Sequence, residues 1–145
     1  ARFIRLAAEI NFAMPSYVVN KVTRALNENG KAIKGANILV LGVAYKADVD
    51  DVRESPALDI IQLLKESQAQ VTYHDPFVPS IVVSGLELES ATLDEVILEN
   101  AECVVIATNH TAYDWAWILS RASLIVDTRN ATGSMISKRA RVVKL

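Results

Sequence analysis

The chain has 145 residues, 51% of them hydrophobic and 22% charged, with a formal net charge of −2. That is enough apolar material for one ordinary domain, and it argues against a general nucleic-acid grip, which needs clustered positive charge for counterion release. No apolar run approaches the ~20 residues of a membrane span, no signal-peptide pattern opens the chain, and Cys103 stands without an internal disulfide partner; the expectation is a soluble protein of the reducing cytoplasm, binding neither nucleic acid nor membrane.

Residues 1 to 29 read as helix. Phe3, Leu6, Ala7 and Ile10 recur at helical spacing, and Val18, Val19, Val22, Ala25 and Leu26 continue the stripe beyond an expected break or kink at Met14-Pro15. The chain opens on Ala1 already in helical stride with no capping residue, so it is expected to begin inside a longer helix of a larger protein. Asn29-Gly30 is a stop signal, and "KAIKGA" a short connector. From Asn37 the rhythm changes. "NILVLGV" is a short apolar run of the kind buried on both faces of a parallel sheet. Ser55 caps a helix with Pro56 in its first turn, where a missing N–H is harmless. "QVTYHD" is the next strand, "GLELESAT" holds a small one, and "TLDEVILEN" is a helix starting at Thr92 or Asp94. "ECVVIAT" (strand), "AYDWAWILSRA" (helix), "SLIVDT" (strand) and "ARVVKL" (strand) complete the order.

Strands alternating with helices predict an α/β, Rossmann-like three-layer domain with a mainly parallel sheet, preceded by a helical segment. The division expected is 1–34 for the helix and connector and 35–145 for the domain. Right-handed crossovers bring the strand C-termini, "GVAYK", "YHDP", "ATNH" and "DTRN", to one edge, where such folds bind ligands.

The chemistry gathers in "GVAYKADVDDVRESPA", residues 42 to 57. The phosphate-cradling G-x-G-x-x-G is absent from it. Lys46 suits a phosphate as a point charge, and Arg53 offers a fork for a bidentate anion contact. Alternatively, both only neutralise Asp48, Asp50, Asp51 and Glu54. A calcium loop is a poor match, because Arg53 stands where the turn glycine belongs and Asp59 at the twelfth position falls inside a helix. Asp75 ends the second strand, where an acid often holds a ribose hydroxyl, though Gly42 lies further upstream than the usual ~20 residues; Asp before Pro is also ordinary turn chemistry. Cys103 reads as a buried structural thiol, Trp115 and Trp117 as packing residues. His74 and His110 end strands and could face the crevice, but make neither a zinc site nor a triad. An anion-binding edge without a nucleophile describes a binding domain.

The long motif, with "YHDP" and "DTRN" downstream, resembles the C-terminal domain of the NAD-dependent UDP-glucose/GDP-mannose dehydrogenase family over essentially the whole chain. "ATNHTAYDW" looks more like the branch acting on UDP-N-acetylhexosamines. The resemblance implies that a glycine-rich domain elsewhere holds NAD while this one closes over a UDP-sugar, which accounts for the missing glycine fingerprint. It assigns Tyr45, Lys46 and Arg129 to the sugar nucleotide and turns Arg53 towards the NAD. The family oxidises a C6 alcohol to a carboxylate in two hydride transfers, through a cysteine thiohemiacetal and thioester, in polysaccharide biosynthesis. Cys103 does not match that cysteine motif, so the nucleophile and its lysine and asparagine helpers are expected before residue 1, and this chain alone is not expected to catalyse. The family's central helix dimerises, which implies a homo-oligomer through residues 1 to 29. Two other readings share the fold: a non-catalytic, Rossmann-like nucleotide-binding regulatory module, and a phospho-receiver. The receiver wants a lysine where "VDTRN" has arginine and leaves Lys46 without a role.

Overall fold

The computed structural model describes residues 2–145, with side chains from residue 13 onward. In chain order the elements are α1 (Arg2–Glu28), β1 (Asn37–Leu41), α2 (Pro56–Glu66), β2 (Gln70–His74), β3 (Ser80–Val83), β4 (Leu86–Glu89), α3 (Glu95–Asn100), β5 (Cys103–Ile106), α4 (Trp115–Arg121), β6 (Leu124–Asp127) and β7 (Arg141–Lys144).

α1 is one helix across Pro15, so the expected break at Met14-Pro15 does not occur. Pro15 removes one N–H from the ladder. The stripe beyond it compensates, because Val18, Val19, Val22, Ala25 and Leu26 are all buried in the core. The apolar face expected at Phe3, Leu6, Ala7 and Ile10 lies outside the described side chains. At the far end Gly30 takes φ +72°, and the amides of Gly30 and Lys31 donate back to the carbonyls of Asn27 and Leu26, both at 2.9 Å. Only a left-handed residue closes a helix this way, and glycine does so without steric cost.

The sheet is wholly parallel, ordered β2-β1-β5-β6-β7. Because strand side chains alternate, β1 feeds two cores. Ile38 and Val40 point to the layer of α1 and α2, with Cys103, Val105, Leu124 and Val126 beside them. Leu39 and Leu41 point to α3 and α4, with Val104, Ile106 and Ile125. Two faces covered by helices explain the unbroken apolar runs in the strands. The result is the α/β three-layer, Rossmann-like fold, and the second half of α1 forms part of one layer.

The small strand expected in "GLELESAT" is the second half of a hairpin. β3 and β4 pair antiparallel around Ser84-Gly85, at φ +51° and +78°, a turn whose twist suits a two-residue hairpin. Ile81 and Val83 tuck under it into the core while Val82 stays exposed. Among the described residues no helix is long and apolar enough to cross a membrane.

β1 lies between β2 and β5, so the chain leaves it in one direction and returns on the other side. That reversal opens a crevice beyond the strand C-termini.

Candidate functional site

The loop after β1 starts with a close approach. Gly42 sits at φ +83°, and a Cβ there would lie 2.4 Å from Thr108 Cβ and 2.6 Å from the Thr108 carbonyl oxygen. Its amide donates to the His74 carbonyl at 2.8 Å. The next two amides, Val43 and Ala44, donate to Asp75 Oδ2 at 2.8 and 3.2 Å. The Ala44 carbonyl accepts from the Thr108 hydroxyl at 2.7 Å and from Ser55 Oγ at 3.3 Å. Ser55 Oγ also caps α2 by accepting the Ala57 amide. The ends of β2 and β5 and the start of α2 therefore share one short piece of backbone.

Asp75 is thus occupied. Its other oxygen accepts the Phe77 amide at 2.8 Å, and His110 Nε2 lies 2.8 Å from Oδ2. The side chains of both residues are fully buried. A carboxylate so enclosed has no oxygen left for a ribose, which overturns the cofactor reading of Asp75. His110 Nδ1 accepts from the Asp48 amide at 2.9 Å. A backbone N–H can only donate, so the imidazole proton sits on Nε2, aimed at Asp75. His74 Nδ1 lies 3.0 Å from the Tyr113 hydroxyl, which also donates to the His74 carbonyl. Burial lowers the His74 pKa, and burial followed by the Asp75 charge raises that of Tyr113. The two histidines belong to the loop's support, not to the open crevice.

Beyond Ala44 the loop turns outward. The Tyr45 amide donates to the Asp51 carbonyl at 2.7 Å, leaving the Tyr45 ring and Lys46 exposed. Asp48 takes φ +65°, and its carboxylate accepts from the Thr111 amide and hydroxyl, bonds that lower its pKa. Glu54 is also left-handed, at φ +60°. Such conformations are costly for residues with a Cβ and persist where surrounding contacts fix them. Arg53 closes on its neighbour: Nε and Nη2 donate to the Asp51 carboxylate at 3.0 and 2.8 Å, which pulls that acid down to about 2.

A second support lies after β6. Asp127 accepts from the amides of Arg129, Ala131 and Thr132 and from the Thr132 hydroxyl. Lys144 Nζ, arriving from β7, places its three N–H donors within 3.2 Å of four acceptors, on Asp127, Asn130, Thr132 and the Gly133 carbonyl. Burial alone would raise the Asp127 pKa, but the donors from Thr132, Ala131 and Lys144 outweigh it and hold the group below the usual carboxylate range. This clasp presents Arg129. Its Nε donates to the Ala107 carbonyl at 2.9 Å, and Nη2 stands 3.5 Å from the Tyr45 carbonyl.

Tyr45, Lys46 and Arg129 therefore line one cavity of about 660 Å³, with Ala107, Thr128, the start of α2 at Pro56 and the α1 residues Met14 and Val18. Glu54 and Asp59 also line it, so the wall carries both signs of charge. Arg53 is not among its lining; it lies with Tyr45, Asp51 and Glu54 in an adjoining depression. Three of the four expected binding residues are brought together and the fourth sits alongside. Sequence reasoning missed Lys144 and Thr132 as supports. "TRNAT" carries a turn signal, but nothing in it points to a lysine many residues downstream.

Cys103 is fully buried and pushed up to about 12 by that burial, as expected of a structural thiol. Trp115 and Trp117 pack against the second core. Among the described residues no three His, Cys, Asp or Glu side chains converge as a metal site would need.

Residues 39–134 match the sequence model of the UDP-glucose/GDP-mannose dehydrogenase family, UDP binding domain. A UDP-N-acetyl-D-mannosamine dehydrogenase of Methanococcus maripaludis (strain S2) is 34% identical over 97% of this chain and 33% of its own length. An NDP-N-acetyl-D-galactosaminuronic acid dehydrogenase of Ralstonia nicotianae is 34% identical over 89% of this chain and 30% of its own length. The structure of a UDP-D-ManNAc dehydrogenase from Pyrococcus horikoshii superposes with a TM-score of 0.80 at 30% identity, covering 97% of this chain and 32% of that one. The chain spans about a third of the length of the curated relatives it matches.

Proposed function

Since this chain belongs to the UDP-glucose/GDP-mannose dehydrogenase family and matches its UDP binding domain, we propose that it is the substrate-binding part of an NAD-dependent dehydrogenase that oxidises C6 of a UDP-hexose or UDP-N-acetylhexosamine to the uronate in the cytoplasm. The supporting observation is the convergence of Lys46, Tyr45 and Arg129 from two loops of the crevice on one cavity. In this reading Lys46 and Arg129 neutralise the diphosphate and Tyr45 lines the nucleotide. Lys46 and Arg129 supply the positive charge that a diphosphate needs, opposite the acids Glu54 and Asp59 at the start of α2.

In this reading the loop after β1 is not a dinucleotide cradle. The loop after β1 has no second or third glycine, acids crowd the start of α2, and the Asp75 carboxylate is consumed internally. NAD is assigned to a further domain of the same enzyme, and Arg53, exposed at the rim, is the contact proposed to reach it. Residues 1–34 are proposed as the end of a central helix with its connector, pairing two copies, and 35–145 as the domain proper. The chain by itself performs no oxidation in this scheme.

Ligand-observed NMR of the chain with UDP, NAD and ADP, repeated with Lys46→Ala, tests it. Selective UDP contact is expected, with at least about a tenfold loss in the variant, the scale of one charge-assisted contact. Equal contact with NAD and ADP would instead indicate a general nucleotide module. UDP contact unaffected by the substitution would remove Lys46 from the site, and no contact with any ligand would sink the assignment for this chain.

A further inference from the structure

The loop that carries Tyr45 and Lys46 is held at its two ends by a hydrogen-bonded pair of buried side chains, Asp75 and His110, neither of which lines the cavity. At its start Val43 and Ala44 hang from Asp75 Oδ2. Two residues beyond Lys46, the Asp48 amide hangs from His110 Nδ1. His110 Nε2 and Asp75 Oδ2 join these two anchors at 2.8 Å. The imidazole is fully enclosed: Phe77 lies edge-on at 4.9 Å between ring centroids, Tyr113 at 5.9 Å, and the Asp48 carboxylate stands 4.0 Å from Nδ1. Asp48 in turn is left-handed and bonded to Thr111, the residue after His110.

A ring buried for packing alone needs neither nitrogen satisfied by this loop. Here both are used, one as donor and one as acceptor: the bond from the Asp48 amide tethers the loop, and the bond to Asp75 orients the ring that accepts it. We propose that His110 is a positioning residue, fixed as the Nε2–H tautomer between Asp75 and the Asp48 amide, that holds the Tyr45–Lys46 segment in its ligand-ready shape. The inference rests on the reading of that segment as a nucleotide contact, but its structural half is separable from it.

Three substitutions divide the two bonds. His110→Asn keeps an acceptor near the position of Nδ1 and gives up the bond to Asp75. His110→Gln keeps a donor towards Asp75, which retains its three amide partners, and gives up the tether to Asp48. His110→Phe gives up both while keeping an aromatic ring against Phe77. UDP affinity is expected to fall about tenfold in the Gln and Phe variants and to stay within about threefold of the parent in the Asn variant, as one lost buried hydrogen bond at the loop implies. Amide hydrogen exchange supplies the ligand-free readout: protection of Asp48 disappears in Gln and Phe, survives in Asn, and the amides of Leu39 and Val105 are unchanged in all three. If the Phe variant does not fold, the Asn and Gln pair decides the matter.

Parent-like UDP binding in His110→Gln, or unchanged Asp48 protection in it, would overturn the proposal. A parent chain that shows no UDP contact would refute the nucleotide reading. Asp48 exchange would still report whether His110 shapes the loop.

Discussion

At Gly42 the chain has no room for a methyl group, because Thr108 Cβ, its carbonyl oxygen and its Cα crowd the place of the Cβ and φ is +83°. Gly42→Ala combines left-handed strain with overpacking against main chain, and should cost about 2–4 kcal/mol. Urea unfolding of the purified variant measures it; a loss below 1 kcal/mol would mean that the two loops separate more easily than their packing implies. Cys103 is buried among the strands with its thiol pushed up to about 12. A thiol reagent at neutral pH should therefore label it only after denaturant is added. Labelling of the folded chain at the rate of a free thiol would contradict the packing. Asp127 carries a pH dependence. Its pKa is lowered on folding, so the folded state binds fewer protons than the unfolded chain near the ordinary value of about 3.9. The stability it contributes is present above that value and is lost as the pH falls through the lowered one. Asp127→Asn should cost about 1–3 kcal/mol at neutral pH by leaving buried donors unpaired. It should also flatten the acid limb of a plot of Tm against pH, and an unchanged limb would exclude Asp127 as its source.

Helix starts were readable because capping is local. Ser55, Asp94 and Asp114 each accept an amide two or three residues ahead, and all three stand in the stretches where the sequence signals helix initiation. The end of α2 was less visible, since Gln68 takes the left-handed closing position at φ +66°. Its amide and that of Ala69 return to the Lys65 and Leu64 carbonyls as in a glycine closure. Gln68→Gly should therefore stabilise the chain by about 0.5–1 kcal/mol, read as a rise in Tm; a fall would show that the glutamine side chain makes a compensating contact. The β3–β4 hairpin was half hidden for another reason. Its strands are four residues each, and only Ile81 and Val83 signal a buried face. β7 matters beyond its pairing with β6, because Lys144 on it ties the loop that carries Arg129.

For the molecule as a whole, the cavity lies where α1, the loop after β1, the start of α2 and the ends of β5 and β6 meet. A ligand bound there ties several elements together and should stabilise the fold by mass action. At one hundred times its Kd, UDP is expected to add about 2.7 kcal/mol to unfolding, visible as a higher Tm. The gain should shrink when the Lys46→Ala variant is tested at the same UDP concentration. An equal gain in both would place UDP elsewhere.

The α/β order, the parallel sheet and most element boundaries were determined by the sequence alone, because hydrophobic period, capping and glycine stops act over a few residues. Residues 42 to 57, with "YHDP" and "DTRN" downstream, carried the family resemblance, and with it the expectation that Tyr45, Lys46 and Arg129 meet the sugar nucleotide. Only the tertiary structure decided what holds that site. Asp75 supports the loop from within instead of meeting a ribose, Arg53 closes on Asp51, and His110 and Lys144 reach across 62 and 17 residues to grip Asp48 and Asp127. Those partnerships depend on which strands lie side by side. A carboxylate or imidazole at a strand end looks the same in sequence whether it faces solvent or a neighbouring loop. The crossover order of the sheet settles which, by burying both side chains together and leaving each only the other, and the nearby amides, to bond.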